Sequence, residues 1–242
     1  MQIERRRVDM LKIMCLDPVT MAATKEEGEY MGKFLSKDTE LVLDVIDDGP
    51  YTIQCEYDEA MSQPHVIESC IKAEKNGIDG IFVNCFGDPG VRAAREVTGI
   101  PIFGGFEPVM LTAMGVADRV AIITVLDSVM PLISNNIMKA GFGDRVVSLR
   151  NVGIPVADLS DKDKLVPALV SQAEAAIREN RAEVIVLGCT AMIDVAETTE
   201  QILKKKGYDI PVLEPAQTAL KYVEMYAQMG ISHSRLTYGA VN

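Results

Sequence analysis

The chain has 242 residues, of which 48% are hydrophobic and 24% are charged, so it can bury a sizeable core in one large domain or two small ones. Its formal net charge is −11, and no basic stripe extends beyond short clusters such as Glu-Arg-Arg-Arg at 4–7, which argues against a nucleic-acid partner. No run reaches the roughly 18 apolar residues of a membrane span and the N-terminus lacks a signal-peptide pattern, so we expect a cytoplasmic protein without a membrane partner.

Apolar runs of strand length alternate with longer amphipathic stretches along the chain. In the first half the predicted strands are 10–16, 40–47, 80–85 and 100–105, and the predicted helices are 25–37, 65–77 and 88–99. In the second half the predicted strands are 119–126, 144–152, 182–189 and 210–215, and the predicted helices are 128–141, 163–180, 194–207 and 215–230. This alternation predicts an α/β fold with parallel strands and helices on both faces of each sheet.

The two halves of the chain match each other at three places in the same order. The matched pairs are Leu16-Asp17 with Leu126-Asp127, Cys85 with Cys189, and Ile100-Pro101 with Ile210-Pro211. We interpret them as an internal duplication that gives two pseudo-symmetric, flavodoxin-like subdomains with an active site in the cleft between them. The predicted first subdomain is discontinuous, 8–106 plus 215–242, and the second covers 107–214.

Two of the five cysteines stand at matched strand ends. Cys85 and Cys189 each close a buried strand before a loop and a helix, and the functional loops of parallel sheets lie at such carboxyl ends. A helix N-terminus favours a thiolate, so each half is predicted to supply one sulfur of lowered pKa. Cys15, Cys55 and Cys70 are expected to be small packing residues. An odd number of cysteines without a dense framework indicates a reducing compartment.

Two thiols on opposite sides of a cleft suit the inversion of a carbon acid. A thiolate removes the proton from one face of the carbon, and the opposing thiol returns a proton to the other face. Disulfide exchange is less favoured because no C-x-x-C is present. The two histidines, His65 and His233, are far apart without ligand spacing, so no metal site is predicted. His233 is expected at the surface.

The segments NCFGDPGVRAARE (84–96) and LGCTAM (187–192) resemble the aspartate/glutamate/hydantoin racemase superfamily, in particular its hydantoin and allantoin racemase branch. The resemblance covers essentially the whole chain, including GPYTIQCEYDEA (49–60). It implies a cofactor-independent, homo-oligomeric racemase whose acid–base pair is Cys85 and Cys189.

The resemblance also implies that the loop after the first strand, here LDPVT (16–20), holds the polar groups of the substrate. Asp17 stands where the branch has Asn, and Val19 stands where it has a polar residue. A carboxylate accepts hydrogen bonds from ring N–H groups and repels a free carboxylate, so this departure bears on the class of substrate.

Further candidates for substrate contact lie beside the two cysteines and at one other strand end. Asn84 is predicted to donate to a carbonyl oxygen, or only to cap the loop. Phe86 is predicted to wall a ring-shaped pocket, or only to pack in the core. The N–H and hydroxyl of Thr190 are predicted to stabilise an enolate oxygen, or only to cap a helix. Thr124 matches a strand-end Thr of the family.

The predicted function is racemisation at an acidic C–H of a five-membered cyclic amide or ureide, such as a hydantoin or allantoin. The alternatives are an aspartate-type amino-acid racemase, a maleate-type isomerase or an arylmalonate-type decarboxylase on the same scaffold. A carboxylate clamp for a free amino acid could come only from Arg92 and Arg95, which lie in a predicted helix. A non-catalytic small-molecule binding protein is the alternative of a different class, and inert buried thiols would favour it. Glu107 and Glu214, also matched by the duplication, are predicted to be structural.

Overall fold

The computed structural model describes residues 10–239. The basic cluster at 4–7 and the outermost residues of the predicted first subdomain lie outside that range. Within residues 10–239, no helix is both long and apolar enough to cross a bilayer.

Strands and helices alternate along the described residues as the sequence predicts. The first half contains β1 (Leu11–Asp17), α1 (Lys25–Gly32), β2 (Thr39–Val45), α2 (Glu56–Lys75), β3 (Gly80–Val83), α3 (Val91–Val97), β4 (Ile102–Phe103) and α4 (Phe106–Val116). The second half contains β5 (Val120–Thr124), α5 (Met130–Lys139), β6 (Val146–Asn151), α6 (Lys162–Asn180), β7 (Val184–Leu187), α7 (Ala196–Lys205), β8 (Val212–Leu213) and α8 (Pro215–Met229).

The strands form two parallel four-stranded sheets of the same topology. Their orders are β2-β1-β3-β4 and β6-β5-β7-β8, so the first strand of each half is central and the strand order switches direction beside it. Strands β3, β5 and β7 are buried along their whole length, as expected for parallel strands covered by helices on both faces. The predicted α/β fold with two similar subdomains is confirmed.

The last helix of each half packs on the sheet of the other half. Helix α8 follows the second sheet but buries its apolar face against β1, β3 and β4, where Leu220 and Val223 join the core around Phe82. Helix α4 follows the first sheet, and its Val109 and Met110 join the core of the second. The two helices also contact each other, so the halves are held together at their exchanged helices. The exact boundaries of the subdomains stay a prediction.

The structure differs from the predicted helices at three places. Helix α2 begins at Glu56, nine residues before its predicted start, and continues through Pro64 because its 20-residue length and acidic first turn offset one missing hydrogen bond. Helix α4 was not predicted, because it is apolar on all sides and shows no amphipathic pattern. Pro89 precedes α3, which begins after Gly90, and Gly90 takes the left-handed conformation at the N-cap.

The expected surface position of His233 is wrong. The residue is half-buried, its ring packs edge-on against Phe103 and Tyr238, and Nε2 accepts a hydrogen bond from the Ile102 N–H at 2.9 Å. Burial and the nearby Arg95 lower the pKa of His233 to about 4. The ring is therefore neutral at neutral pH, and it holds the C-terminal segment on β4.

Because the pKa of His233 is lower in the folded protein than in the unfolded chain, its contribution to stability is complete above about pH 6.5 and is lost as the pH falls towards 4. We expect the urea midpoint of His233→Gln to fall less between pH 7 and pH 5 than that of the wild type. The informative quantity is the difference between the two urea midpoints at each pH. Buried carboxyls with raised pKa stabilise the fold as the pH falls, and they do so in both proteins. Parallel pH profiles would contradict the assignment.

Candidate active site

A cavity of about 110 Å³ lies between the two halves, at the carboxyl ends of their strands. Its lining includes three segments: 17–19 with 21–23 at the end of β1, 84–87 after β3, and 188–191 after β7. The β5–α5 region adds Val125, Val129, Leu132 and Ile133. Cys85 and Cys189 both line this cavity, as do the predicted contacts Asp17, Asn84, Phe86 and Thr190. The duplicated strand ends therefore bring one cysteine from each half to the same space.

The position of Cys85 follows from the way the chain leaves β3. The Asn84 N–H donates to the Leu16 carbonyl near the end of β1. The chain then turns, so that the Gly87 N–H faces the Cys85 sulfur at 3.4 Å. The Cys85 carbonyl accepts from the N–H of Gly105, 2.9 Å away. This network fixes the loop that carries the first thiol.

Cys189 lies at the equivalent end of β7. The backbone N–H groups of Ala191 and Met192 act to lower the pKa of its thiol, against the larger effect of burial, as expected for a loop that curls around a potential anion. Gly188, just before it, must be small because a Cβ there would lie 3.0 Å from Thr124 Cβ and 3.1 Å from the Ile123 carbonyl oxygen.

The predicted lowering of the thiol pKa values is wrong. Burial raises the pKa of Cys189 to about 11 and the pKa of Cys85 further, well above the usual range of a thiol. The physical reason is the apolar wall of the cavity, and neither sulfur lies at a helix N-terminus, since α3 begins only at Val91 and α7 at Ala196. Nearby negative charges, from Glu59 among others, raise the pKa of Cys85 further.

Asp17 and Asn84 form a polar pair at one end of the cavity. Asn84 Nδ2 donates to Asp17 Oδ1 at 2.7 Å, and the Ala23 N–H donates to Asp17 Oδ2 at 2.7 Å. Asp17 is buried, and burial raises its pKa. Asp17 thus fixes both the loop after β1 and the Asn84 amide, whose second N–H is left for another acceptor.

The other predicted contacts also have partners within the protein. The Thr190 hydroxyl donates to the Asn84 carbonyl at 3.0 Å and so joins the two cysteine loops. Phe86 packs edge-on against Phe106, with ring centroids 5.5 Å apart, so it belongs to the core as well as to the cavity wall. The buried Thr124 hydroxyl donates to the Gly188 carbonyl at 3.1 Å, behind the cavity wall. Contact of these residues with a substrate stays a prediction.

Sequence reasoning missed the apolar wall contributed by α5 and the carboxylates near Cys85. Asp88 caps helix α4, because Oδ1 accepts from the Phe106 N–H at 2.9 Å, and a Cβ at Gly104 would collide with this carboxylate. Asp88 could have been found from its place in the CFGDPG segment. Leu132 could not, because an apolar residue on a helix carries no sign of the cavity it faces.

The two matched glutamates hold loops and helices. Glu107 forms an ion pair of 2.6 Å with the buried Arg95. Glu214 accepts hydrogen bonds from the Tyr30 hydroxyl at 3.0 Å and the Asp194 N–H at 3.2 Å, and burial raises its pKa to about 7. Among the described residues, no three His, Cys, Asp or Glu side chains form a group that could bind a metal ion.

Together the fold and the cavity define an α/β protein with two similar parallel-sheet halves and a small internal site that carries one free thiol from each half. The family model for the Asp/Glu/hydantoin racemases matches residues 9–223, so the chain belongs to that family.

Relatives of known name agree with this family. The chain is 32% identical to the hydantoin racemase of Pseudomonas sp. (strain NS671) over 228 residues, which cover 93% of this chain and 90% of that protein. Two solved structures, each 27% identical, cover 96% of this chain: the allantoin racemase of Pseudomonas fluorescens (TM-score 0.88, 97% of that chain) and that of Klebsiella pneumoniae (TM-score 0.86, 94%). The protein is therefore an isomerase, a racemase of this family, and the alternative of a non-catalytic binding protein is set aside.

The role of Thr124 can be separated from substrate contact by measuring stability. Thr124→Val keeps the shape of the side chain but removes the donor to Gly188, so we expect the free energy of unfolding to fall by about 1–2 kcal/mol in urea titrations. Thr124→Ser, which keeps the hydroxyl, is the matched control for the hydrogen bond. An unchanged stability of Thr124→Val together with a raised KM would instead support direct contact with the substrate.

Proposed function

We propose that the protein inverts an acidic C–H of a five-membered cyclic amide or ureide of the hydantoin or allantoin type, with Cys85 and Cys189 as the acid–base pair. The observation that carries the proposal is that these two cysteines, from matched positions of the two halves, line one small cavity. Relatives named hydantoin racemase and allantoin racemase support the choice of substrate class.

The chemistry follows from two opposed thiol groups. The ring C–H is acidified by the neighbouring carbonyl, so a thiolate on one side removes the proton and the electron pair moves into an enolate. The thiol on the other side then protonates the carbon on its opposite face, and the roles of the sulfurs are exchanged. The free N–H of the Asn84 amide and the Thr190 backbone are the proposed donors to the enolate oxygen.

The raised thiol pKa values are consistent with this role. A thiolate that is costly to form in an apolar cavity is also a stronger base once formed, which helps it to remove a weakly acidic carbon-bound proton. A neutral ring excludes water from the cavity without bringing a second charge next to the thiolate. The site is therefore suited to an uncharged carbon acid.

The charged groups of the cavity argue against a free amino acid or a dicarboxylate as the substrate. Asp17 and Glu27 are the charged residues among those that line it in the described part of the chain, and both are acidic. Arg95, which the sequence offered as a possible clamp, is instead buried against Glu107. A substrate carboxylate would thus meet like charge without a cation to balance it, which disfavours the amino-acid racemase and maleate isomerase alternatives.

We also propose that the protein works in the cytoplasm as a homo-oligomer. The five cysteines are free, which supports a reducing compartment. Homo-oligomers are implied by the family resemblance, and analytical ultracentrifugation of the full chain would test that part of the proposal.

The proposed function predicts that single enantiomers of 5-substituted hydantoins and of allantoin lose optical rotation and take up deuterium from D₂O in the presence of the protein. Cys85→Ala and Cys189→Ala should each lower the rate of inversion by roughly 10²–10⁴-fold, because a positioned proton donor or acceptor contributes about that factor and the apolar cavity offers no replacement. Polarimetry and chiral chromatography measure the loss.

Cys55→Ala is the matched control, since this free cysteine lies at the start of α2 and does not line the cavity. It should racemise at the wild-type rate. Enantiomers that stay pure with the wild type across a panel of hydantoins and allantoin would contradict the proposed substrate class. Normal inversion by either cavity-cysteine variant would contradict the two-thiol mechanism.

A further inference from the structure

A half-buried carboxylate lies directly behind the Cys85 loop. Glu59 projects from the first turn of α2 towards Gly87, two residues after Cys85. The position that a Cβ of Gly87 would occupy lies 2.9 Å from Glu59 Oε2 and 3.6 Å from Cys85 Sγ. The carboxylate and the thiol therefore approach Gly87 on the same side, where glycine has only a hydrogen atom.

The negative charge of Glu59 is poorly balanced. Oε1 accepts a weak hydrogen bond from Gln63 at 3.3 Å, whereas Oε2 is buried and has no hydrogen-bond partner within residues 10–239. The exposed Lys139, which lines a second cavity together with Glu59, attracts the carboxylate, while Glu56 on the same helix repels it. A buried acceptor without a partner needs an explanation, and the packing of α2 does not supply one.

The two thiols differ in the charges that face them. Cys85 has one backbone donor and two nearby carboxylates, Glu59 and Asp88, which oppose a second negative charge. At Cys189, the backbone N–H groups of Ala191 and Met192 oppose the rise in pKa that burial causes, and no carboxylate within residues 10–239 is among the groups that act on its ionisation. The carboxylates of the cavity wall, Asp17 and Glu27, belong to the β1 side. The fold is pseudo-symmetric, but the electrostatic surroundings of its two sulfurs are not.

We propose that Glu59 is a positioning residue that keeps the proton on Cys85, so that the resting enzyme carries Cys85 as the thiol and Cys189 as the base. The inference rests on the proposed two-thiol function. For the enantiomer whose C–H faces Cys189, the Cys189 thiolate gains the proton, the C–H electron pair enters the enolate, and Cys85 gives its proton to the opposite face. The resulting Cys85 thiolate then faces Glu59, and repulsion between the two anions favours return of a proton to Cys85.

Alkylation of each cysteine in the full chain tests this proposal without a substrate. Glu59→Gln keeps the length of the side chain and a contact with Gln63 but removes the charge. Iodoacetamide is the probe, and peptide mass spectrometry after timed reaction at pH 8 gives separate rates for Cys85 and Cys189. We expect the Cys85 rate to rise roughly three- to tenfold, because a pKa lowered by about one unit raises the thiolate fraction tenfold while nucleophilicity falls. The Cys189 rate should stay within about twofold, because Glu59 is not among the groups that act on the ionisation of Cys189.

The matched control is Glu56→Gln, which removes the same charge from the same helix at an exposed position bonded to Asn135. It should leave both alkylation rates unchanged. If Glu59→Gln has a lowered urea midpoint, Glu59→Asp serves as the second variant, because it keeps the charge but withdraws it by one methylene and should raise the Cys85 rate by a smaller factor. An unchanged Cys85 rate in a folded Glu59→Gln protein, or an equal rise for Cys189, overturns the proposal.

The same proteins separate this inference from the proposed function. If the wild type racemises hydantoins and Glu59→Gln leaves Cys85 alkylation unchanged, the role of Glu59 is wrong and the two-thiol function stands. If no hydantoin or allantoin is racemised but Glu59→Gln raises the Cys85 rate, the substrate class is wrong and the control of Cys85 by Glu59 stands.

Discussion

The hydrogen bond from the Thr190 hydroxyl to the Asn84 carbonyl joins the loop of Cys189 to the loop of Cys85. Gly105 permits this contact, because a Cβ there would lie 2.7 Å from Thr190 Cγ2 and 3.1 Å from the Cys85 carbonyl oxygen. Helices α4 and α8, which cross between the halves and contact each other, hold the two sheets in the same arrangement. The separation of the two sulfurs therefore depends on packing between the halves, which neither loop could fix alone.

The same packing determines what the sulfurs can do. Apolar residues of the β5–α5 region close the cavity, so a thiolate loses its hydration and both thiols are harder to ionise. In the proposed mechanism, proton transfer to and from carbon needs a strong base on one face and an acid on the other, and thiols of raised pKa would provide both. Water and a second charge would weaken this arrangement. An apolar cavity with an acidic polar end is for that reason more suitable for a neutral ring with N–H groups than for a carboxylate.

The sequence predicts features that repeat or depend on local pattern. Strand and helix alternation, the duplication, and the arrival of Cys85 and Cys189 at one cavity all follow from apolar runs and matched motifs. Features that depend on contacts between distant segments are not predicted. Helix α4 buries Val109 and Met110 between the halves but also exposes the apolar Leu111 and Val116, so it shows no amphipathic pattern. The thiol pKa values are raised by burial, to which an apolar wall from α5 contributes. Glu59 is 26 residues before Cys85 in sequence, and only the folding of α2 against the Gly87 turn brings the two together.

Duplication gives the protein two similar frameworks, whereas the proposed proton exchange at one carbon starts with one sulfur protonated and the other ionised. The residues that end the first strand of each half show how the halves have diverged: Asp17 is buried at the cavity and binds the Asn84 amide, while Thr124 is buried behind the cavity wall and donates to the Gly188 carbonyl. Under the proposed two-thiol mechanism, the unequal neighbours of Cys85 and Cys189 determine which sulfur starts as the acid, and each turnover leaves each sulfur in the other's protonation state.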